Sequence, residues 1–247
     1  MPPTKDTKQS LRAAAVIVAA GDSTRMGSGP RKPLLTLAKR LLIEHTLAAF
    51  DRAPSVLEIV IVSHPADVEI FAQMARDAAR HHPSFMKVRA IVPGGKRRTH
   101  SVRHGVQSVS QDVEVILVHD AARPLIGADV IEMAAFVAQR DGASVVAVPL
   151  SDTLKTSASG THAERTLDRS VLWAAQTPQA FRREILIELL ARAEADDFDA
   201  TDDCALHERY LGPVTIVAGD PCNLKVTTPS DLVVAEALLN WRAKGSS

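Results

Sequence analysis

Ala13-Ala14-Ala15-Val16-Ile17-Val18-Ala19-Ala20-Gly21 decides the fold class. The apolar residues run without alternation into a glycine, the pattern of a strand buried on both faces, as in a parallel sheet. Similar runs recur at Leu57–Ser63, Val88–Val92, Val113–His119 and Ser144–Leu150. Segments with helical spacing lie between them, at Leu41–Phe50, Val68–Arg80, Ser101–Val109 and Val130–Arg140. Strand and helix in alternation predict an α/β fold: a mostly parallel, twisted sheet with helices on both faces.

After Leu150 the rhythm changes. Ser151 to Ala175 is rich in Ser, Thr, Asp and Arg and lacks a helical apolar face, so it reads as an extended β-arm. Pro178 then opens a helical segment at Phe181–Ala195, followed by a short helix after Thr201 and a strand at Val214–Ala218. The last helix starts at Thr228, where Thr-Pro-Ser-Asp is a strong cap signal. The expected organisation is a polar, disordered tail at residues 1–12 and one domain at 13–243 that carries the arm at about 151–175.

The composition removes several function classes. At 247 residues with 46% hydrophobic content, the chain buries a large core without cross-links. Its two cysteines, Cys204 and Cys222, have no ligand spacing around them and read as free thiols in a reducing compartment. No apolar run approaches the roughly 20 residues that cross a bilayer, and Met1–Arg12 lacks the apolar stretch of a signal peptide. The expected location is therefore cytoplasmic, without a membrane partner. With 29 basic residues balancing 29 acidic ones, no nucleic-acid partner is expected, and any anion site is local.

Three clusters carry chemistry. The loop from Ala19, Ala20 and Gly21 through Arg25 to Pro30-Arg31-Lys32-Pro33 combines small residues, which admit phosphate oxygens to backbone N–H groups, with cations that a triphosphate needs. It is neither a Walker A loop nor GxGxxG, and a solvated surface loop is the plain alternative. The second cluster, Pro93-Gly94-Gly95-Lys96-Arg97-Arg98-Thr99-His100-Ser101-Val102, frees the backbone at its glycines and offers the Ser101 hydroxyl near a helix start. Its three cations are either an anion site or a solvated face. The third, Val118-His119-Asp120-Ala121-Ala122-Arg123-Pro124, puts Asp120 at the carboxyl end of a strand, where open α/β sheets bind ligands and where Mg²⁺ with phosphate oxygens fits. Asp120 as a mere helix cap, and His119 as a packed polar residue, are the competing readings.

Together with Asp-Thr-Leu-Lys (152–155), Asp-Arg-Ser-Val-Leu-Trp (168–173), Gln-Thr-Pro-Gln-Ala-Phe (176–181), Thr-Asp-Asp (201–203) and Asn-Leu-Lys-Val-Thr (223–227), these clusters closely resemble the 2-C-methyl-D-erythritol 4-phosphate cytidylyltransferase family from about Ala14 to Leu239. The resemblance implies a Rossmann-like, GT-A-like nucleotidyltransferase fold. It also implies transfer of a cytidylyl group from CTP to methylerythritol phosphate with release of pyrophosphate, in the non-mevalonate isoprenoid pathway. A homodimer follows from it too, with each arm reaching over the partner's active site.

By position, the resemblance makes Arg25 and Lys32 stabilisers of the transition state, with Ala19, Ala20, Gly21, Gly94, Gly95, Ser101, Asp120 and Ala121 on CTP and Asp120 near Mg²⁺. Thr153, Thr201 and Lys225 line the acceptor site, joined by Arg169 and Thr177 from the neighbouring arm. Arg169 and Lys225 orient the attacking phosphate. The order Pro30-Arg31-Lys32 departs from the family's Pro-Lys, which leaves Arg31 a second candidate for the role of Lys32. Cys222 stands where an acidic residue is common, and Lys96 likewise replaces one.

Aromatic residues make up 4% of the chain, so the base is expected to be read by hydrogen bonds, with CTP strongly preferred over UTP. Rival readings are a ribitol 5-phosphate cytidylyltransferase, a sugar-nucleotide pyrophosphorylase and a non-catalytic nucleotide-binding scaffold. Ala121-Ala122 and Leu172-Trp173 favour methylerythritol phosphate over the first.

Overall fold

In a computed structural model, which describes residues 11–21 and 30–245, the chain opens with β1 (Ala13–Ala19), β2 (Thr36–Leu37), β3 (Arg40–Leu41) and α1 (Leu42–Asp51). Next come β4 (Val56–Ser63), α2 (Val68–Arg76), β5 (Val88–Pro93), α3 (Arg98–Gln107), β6 (Val115–Asp120), α4 (Ala128–Asp141) and β7 (Ala143–Pro149). A small hairpin, β8 (Lys155–Thr156) and β9 (Arg165–Thr166), precedes β10 (Trp173–Arg182), α5 (Arg183–Ala195), α6 (Cys204–Tyr210), β11 (Thr215–Ala218) and α7 (Pro229–Gly245).

Seven strands form one sheet in the order β11-β7-β10-β6-β1-β4-β5. All neighbours are parallel except β10, which runs antiparallel to both β6 and β7. The side-chain alternation of β1 explains its unbroken hydrophobicity. Ala13, Ala15, Ile17 and Ala19 pack on one face with Ile43, Leu47 and Phe50 of α1, Phe71 of α2 and Ile131, Ala134 and Ala138 of α4. Ala14 and Val16 pack on the other with Val102 and Val106 of α3, Leu186, Leu189 and Leu190 of α5 and Cys204 and Leu206 of α6. Two helical layers therefore cover both faces, and a strand between two neighbours has no polar side to show. Close packing extends to Gly105, where a Cβ would fall 2.4 Å from Val16 Cγ1.

The α/β reading holds, with two corrections beyond residue 150. The segment Trp173–Ala175, expected in the arm, pairs with β7 as Trp173↔Pro149, Ala174↔Val148 and Ala175↔Ala147. Phe181, expected in a helix, is fully buried in β10, and α5 begins at Arg183. Pro178 argues against a central strand because it has no N–H to give. The sheet accommodates it where the register of β10 against β7 slips between Ala175 and Gln179.

The hairpin β8–β9 and a 3₁₀ turn at Arg169–Val171 occupy the rest of the arm segment. The tail expected at 1–12 lies mostly outside the described residues. Leu11, however, already packs against the core, and Arg12 O accepts from Glu114 N–H at 2.8 Å. Cys204 and Cys222 are free thiols, and among the described residues no helix is long and apolar enough to cross a membrane. The cap expected at Thr228 forms around Asp231, whose carboxylate accepts the Thr227 and Thr228 N–H groups at 2.7 and 2.8 Å.

Candidate active site

The parallel strand order reverses between β1 and β6, since β4 and β5 continue on one side and β6 lies on the other. Such a reversal leaves a crevice at the carboxyl ends of the strands. A cleft of about 750 Å³ opens there, lined by Ala19, Ala20, Gly21, Lys32, Gly94, Gly95, Ser101, Asp120, Ala121 and Lys225. Residues from four separate stretches of sequence thus meet in one place. Lys96, Arg97 and Arg98 join them, making the cleft rich in cations.

On one side of the cleft two loops approach closely. Gly94 N–H donates to Ser63 O at 2.7 Å, and a Cβ on Gly94 would lie 2.4 Å from the Ala20 Cβ. Only glycine lets the β5 loop come this near to the end of β1. Ser101 Oγ accepts Gly95 N–H at 3.0 Å and donates to Arg97 O at 3.1 Å, so its hydroxyl closes the glycine loop onto the start of α3. At the β1 loop, Lys32 opens a 3₁₀ turn whose Pro33 is buried, and it faces the cleft. Arg31 is engaged elsewhere: its Nε and Nη2 reach the two oxygens of buried Asp67 at 2.5 and 2.6 Å. A bidentate pair of this kind fixes both partners, which leaves Lys32 as the residue of the two that lines the cleft.

Asp120 ends β6 on the cleft floor. Lys225 Nζ lies 2.8 Å from its Oδ2, and Arg123 Nε stands 3.8 Å away. Burial pushes the Asp120 carboxyl up, but Lys225, Arg98 and Arg123 outweigh burial and hold it below its ordinary value. Asp120 is therefore an ionised acceptor throughout the neutral range. Lys225 owes its position to Asn223, which is fully buried and donates from Nδ2 to Gln176 Oε1 and Thr177 O, both at 3.0 Å. Val226 N–H then donates to Ala122 O at 2.8 Å, pinning the lysine segment against the loop after β6.

His119 takes no part in the cleft. It is completely buried; its Nε2 donates to Arg123 O at 3.2 Å, and its Nδ1 accepts from Thr177 Oγ1 at 3.1 Å. Burial drives its pKa down to about 4, so the ring is neutral at physiological pH. Thr177 lies in β10, where its Oγ1 also accepts Asp120 N–H at 3.1 Å. Its hydroxyl is spent on holding Asp120 in place.

Thr153, Arg169 and Thr201 are exposed and stand outside the cleft lining. Arg169 carries its guanidinium to Ser151 O. Arg25 lies outside the described residues. The sequence reading missed Arg98 and Arg123 as parts of the site, because three consecutive cations and an arginine before proline are equally at home on a solvated surface.

No group of three His, Cys, Asp or Glu side chains that could hold a metal exists among the described residues. Among the described residues that line the cleft, Asp120 is the one carboxylate. That fits a magnesium ion taking its other ligands from phosphate oxygens and water, and does not fit an ion caged by protein.

The profile of the IspD family, 2-C-methyl-D-erythritol 4-phosphate cytidylyltransferase, matches residues 13–241. The chain belongs to this family. Relatives of that name include one from Geobacillus kaustophilus (strain HTA426), 41% identical over 228 residues, spanning 92% of this chain and 97% of the relative. Another, from Alkaliphilus oremlandii (strain OhILAs), is 38% identical over 95% of this chain and 98% of its own length. The crystal structure of 2-C-methyl-D-erythritol 4-phosphate cytidylyltransferase from Thermus thermophilus superposes with a TM-score of 0.75 at 31% identity, covering 92% of this chain and 98% of that one. The crystal structure of 4-diphosphocytidyl-2C-methyl-D-erythritol synthase from Anaerococcus prevotii DSM 20548 gives a TM-score of 0.79 at 27% identity, over 94% of this chain and 97% of its own. These structures share the fold of this chain.

Proposed function

We propose that this chain is a cytidylyltransferase that joins 2-C-methyl-D-erythritol 4-phosphate to CTP. A phosphate oxygen of the acceptor attacks the α-phosphorus. The bond from that phosphorus to the β-phosphate bridge oxygen breaks, and its electron pair leaves with pyrophosphate. The observation that carries this reading, within the family, is the cation-rich cleft around ionised Asp120, where Lys32 and Lys225 face the glycine loops.

The chemistry accounts for what the cleft contains. The acceptor phosphate is already an anion at neutral pH, so no general base is needed. His119, the one imidazole beside Asp120 in sequence, is neutral, buried and bonded through both nitrogens. What the reaction needs is fixed positive charge to bring two anions together and to stabilise charge on the transferring phosphoryl oxygens. Lys32 meets the triphosphate side from the β1 loop, with Arg25 its expected companion. Lys225, held against Asp120, meets the acceptor side. Asp120 is the residue that would hold a magnesium ion, which would neutralise triphosphate charge.

We also infer a homodimer that exchanges arms. Arg169 and Thr153, the residues that the resemblance puts on the acceptor, are exposed and outside their own chain's cleft, and a second copy supplies a route to one. Exposed Val171 and Trp173 beside Arg169 support such a contact. Two free thiols and these substrates support a cytoplasmic location.

The test is pyrophosphate release with CTP and Mg²⁺ in three arms: methylerythritol phosphate, ribitol 5-phosphate and no acceptor. Release in the first arm alone is expected. Release with ribitol 5-phosphate would move the acceptor, and silence in all arms would refute the catalytic reading.

A further inference from the structure

Three neighbouring side chains at the start of α3 grip the loop that joins α5 to α6. Arg97 Nη1 reaches Asp197 Oδ1 at 2.6 Å, Thr99 Oγ1 donates to Asp199 Oδ1 at 3.0 Å, and Arg98 Nη2 lies 2.8 Å from Asp203 Oδ2. The first two contacts are on or near the surface. The third is not: the Asp203 side chain is fully buried, the Arg98 side chain is 24% exposed, and neither Asp203 oxygen has a partner other than this guanidinium. Burial opposes charge on Arg98 but Asp203 prevails, and the guanidinium stays charged. Buried pairs of this kind are weak sources of stability, because desolvation consumes most of the attraction.

The pair's place in the fold points to another use. Arg98 follows the nucleotide-side glycines and lines the cleft, while Asp203 ends the Thr201-Asp202-Asp203 turn. The turn is also supported by Gln179 Oε1, which accepts the N–H groups of Asp203 and Cys204 at 2.8 and 2.9 Å, and by buried Ala200 and Cys204 on either side of it. Helix α3, by contrast, is held in the core by Val102, Gly105 and Val106 whatever Arg98 does. Losing the pair therefore loosens the Thr201 turn, between its anchors at Ala200 and Cys204, more than it moves the nucleotide loop.

We propose that Arg98 is a positioning residue for the acceptor: through Asp203 it holds the Thr201 turn at a fixed distance from the nucleotide side of the cleft. This rests on the reading of Thr201 as an acceptor contact.

The test compares the parent with Arg98→Met, Asp203→Asn and the double variant Arg98→Met/Asp203→Leu. The double variant replaces the ion pair by apolar side chains, a change that retains stability in buried pairs elsewhere. It is expected to melt near the parent and to lose about tenfold or more in kcat/KM for the acceptor. Asp203→Asn, which keeps the shape and leaves the Arg98 guanidinium in the cleft, is expected to lose less for the acceptor and to keep KM for CTP within about twofold. Amide hydrogen exchange across residues 197–203 in Arg98→Met and the double variant is expected to quicken, with α3 unchanged.

Parental acceptor kinetics in a stable double variant would overturn the proposal, as would equal losses for both substrates in Asp203→Asn. Unchanged exchange at 197–203 would overturn it without reference to activity. An inactive parent would instead refute the proposed function, while the exchange measurement still judges the clasp.

Discussion

The Lys225 ammonium lies 2.8 Å from the Asp120 carboxylate, one from a loop between β11 and α7 and the other from the end of β6. More than a hundred residues of chain separate them, and buried Asn223 brings them together. Asp120 holds the Lys225 ammonium in the cleft, and Lys225 favours the ionised form of Asp120. Replacing Lys225 by Met, or Lys32 by Met, is expected to lower kcat by about 10²–10³, or 3–4 kcal/mol of transition-state stabilisation. Steady-state kinetics of pyrophosphate release measure it; losses below tenfold for both would remove these lysines from the chemistry.

Gly94→Ala tests the nucleotide side. The added methyl would meet the Ala20 Cβ at 2.4 Å, so the two loops must separate. Misplacement of about 1 Å can cost about 10²-fold. A rise in KM for CTP of tenfold or more is expected, with the core intact by circular dichroism. An unchanged KM would mean that the nucleotide does not lie between these loops.

The buried histidine predicts a pH effect on stability. His119 titrates at about 4 in the folded chain against 6.5 when unfolded, so the unfolded state binds the extra proton between those values. Stability is full above pH 6.5 and declines as pH falls toward 4, by up to about 3 kcal/mol from this residue. Denaturant midpoints at pH 7 and pH 5 measure it. His119→Gln is expected to be less stable at pH 7 yet to lose less on going to pH 5; an identical loss would assign the effect to other groups.

Exposed Trp173, 45% accessible, predicts association through the arm segment. Sedimentation at micromolar concentration is expected to give a dimer, and Trp173→Arg a shift toward monomer with reduced kcat. A fully active monomer would contradict arm exchange.

Much of this was legible because parallel strands are buried on both faces and therefore leave apolar runs. Ala13–Ala20, the glycines at 94–95 and Asp120 announced a crevice from their order along the chain. The strand β10 was not legible, since Gln176-Thr177-Pro178-Gln179 is polar and contains proline. Its polar groups are consumed by Asp120, His119, Asn223 and Asp202, partners that only the assembled sheet supplies. Arg98 was hidden for a similar reason, because its carboxylate lies at the cap of another helix. The choice between Arg31 and Lys32 likewise awaited Asp67, a residue with no sequence signal of its own.

The central claim is direct attack by the acceptor phosphate on the α-phosphorus of CTP, and isotope transfer tests it most directly. Methylerythritol phosphate carrying ¹⁸O in its phosphate is incubated with CTP, Mg²⁺ and the protein, and the products are weighed by mass spectrometry. All of the label is predicted in the diphosphate-linked cytidylyl product, with unlabelled pyrophosphate released beside it. Label in pyrophosphate, or CDP released in its place, would contradict the account.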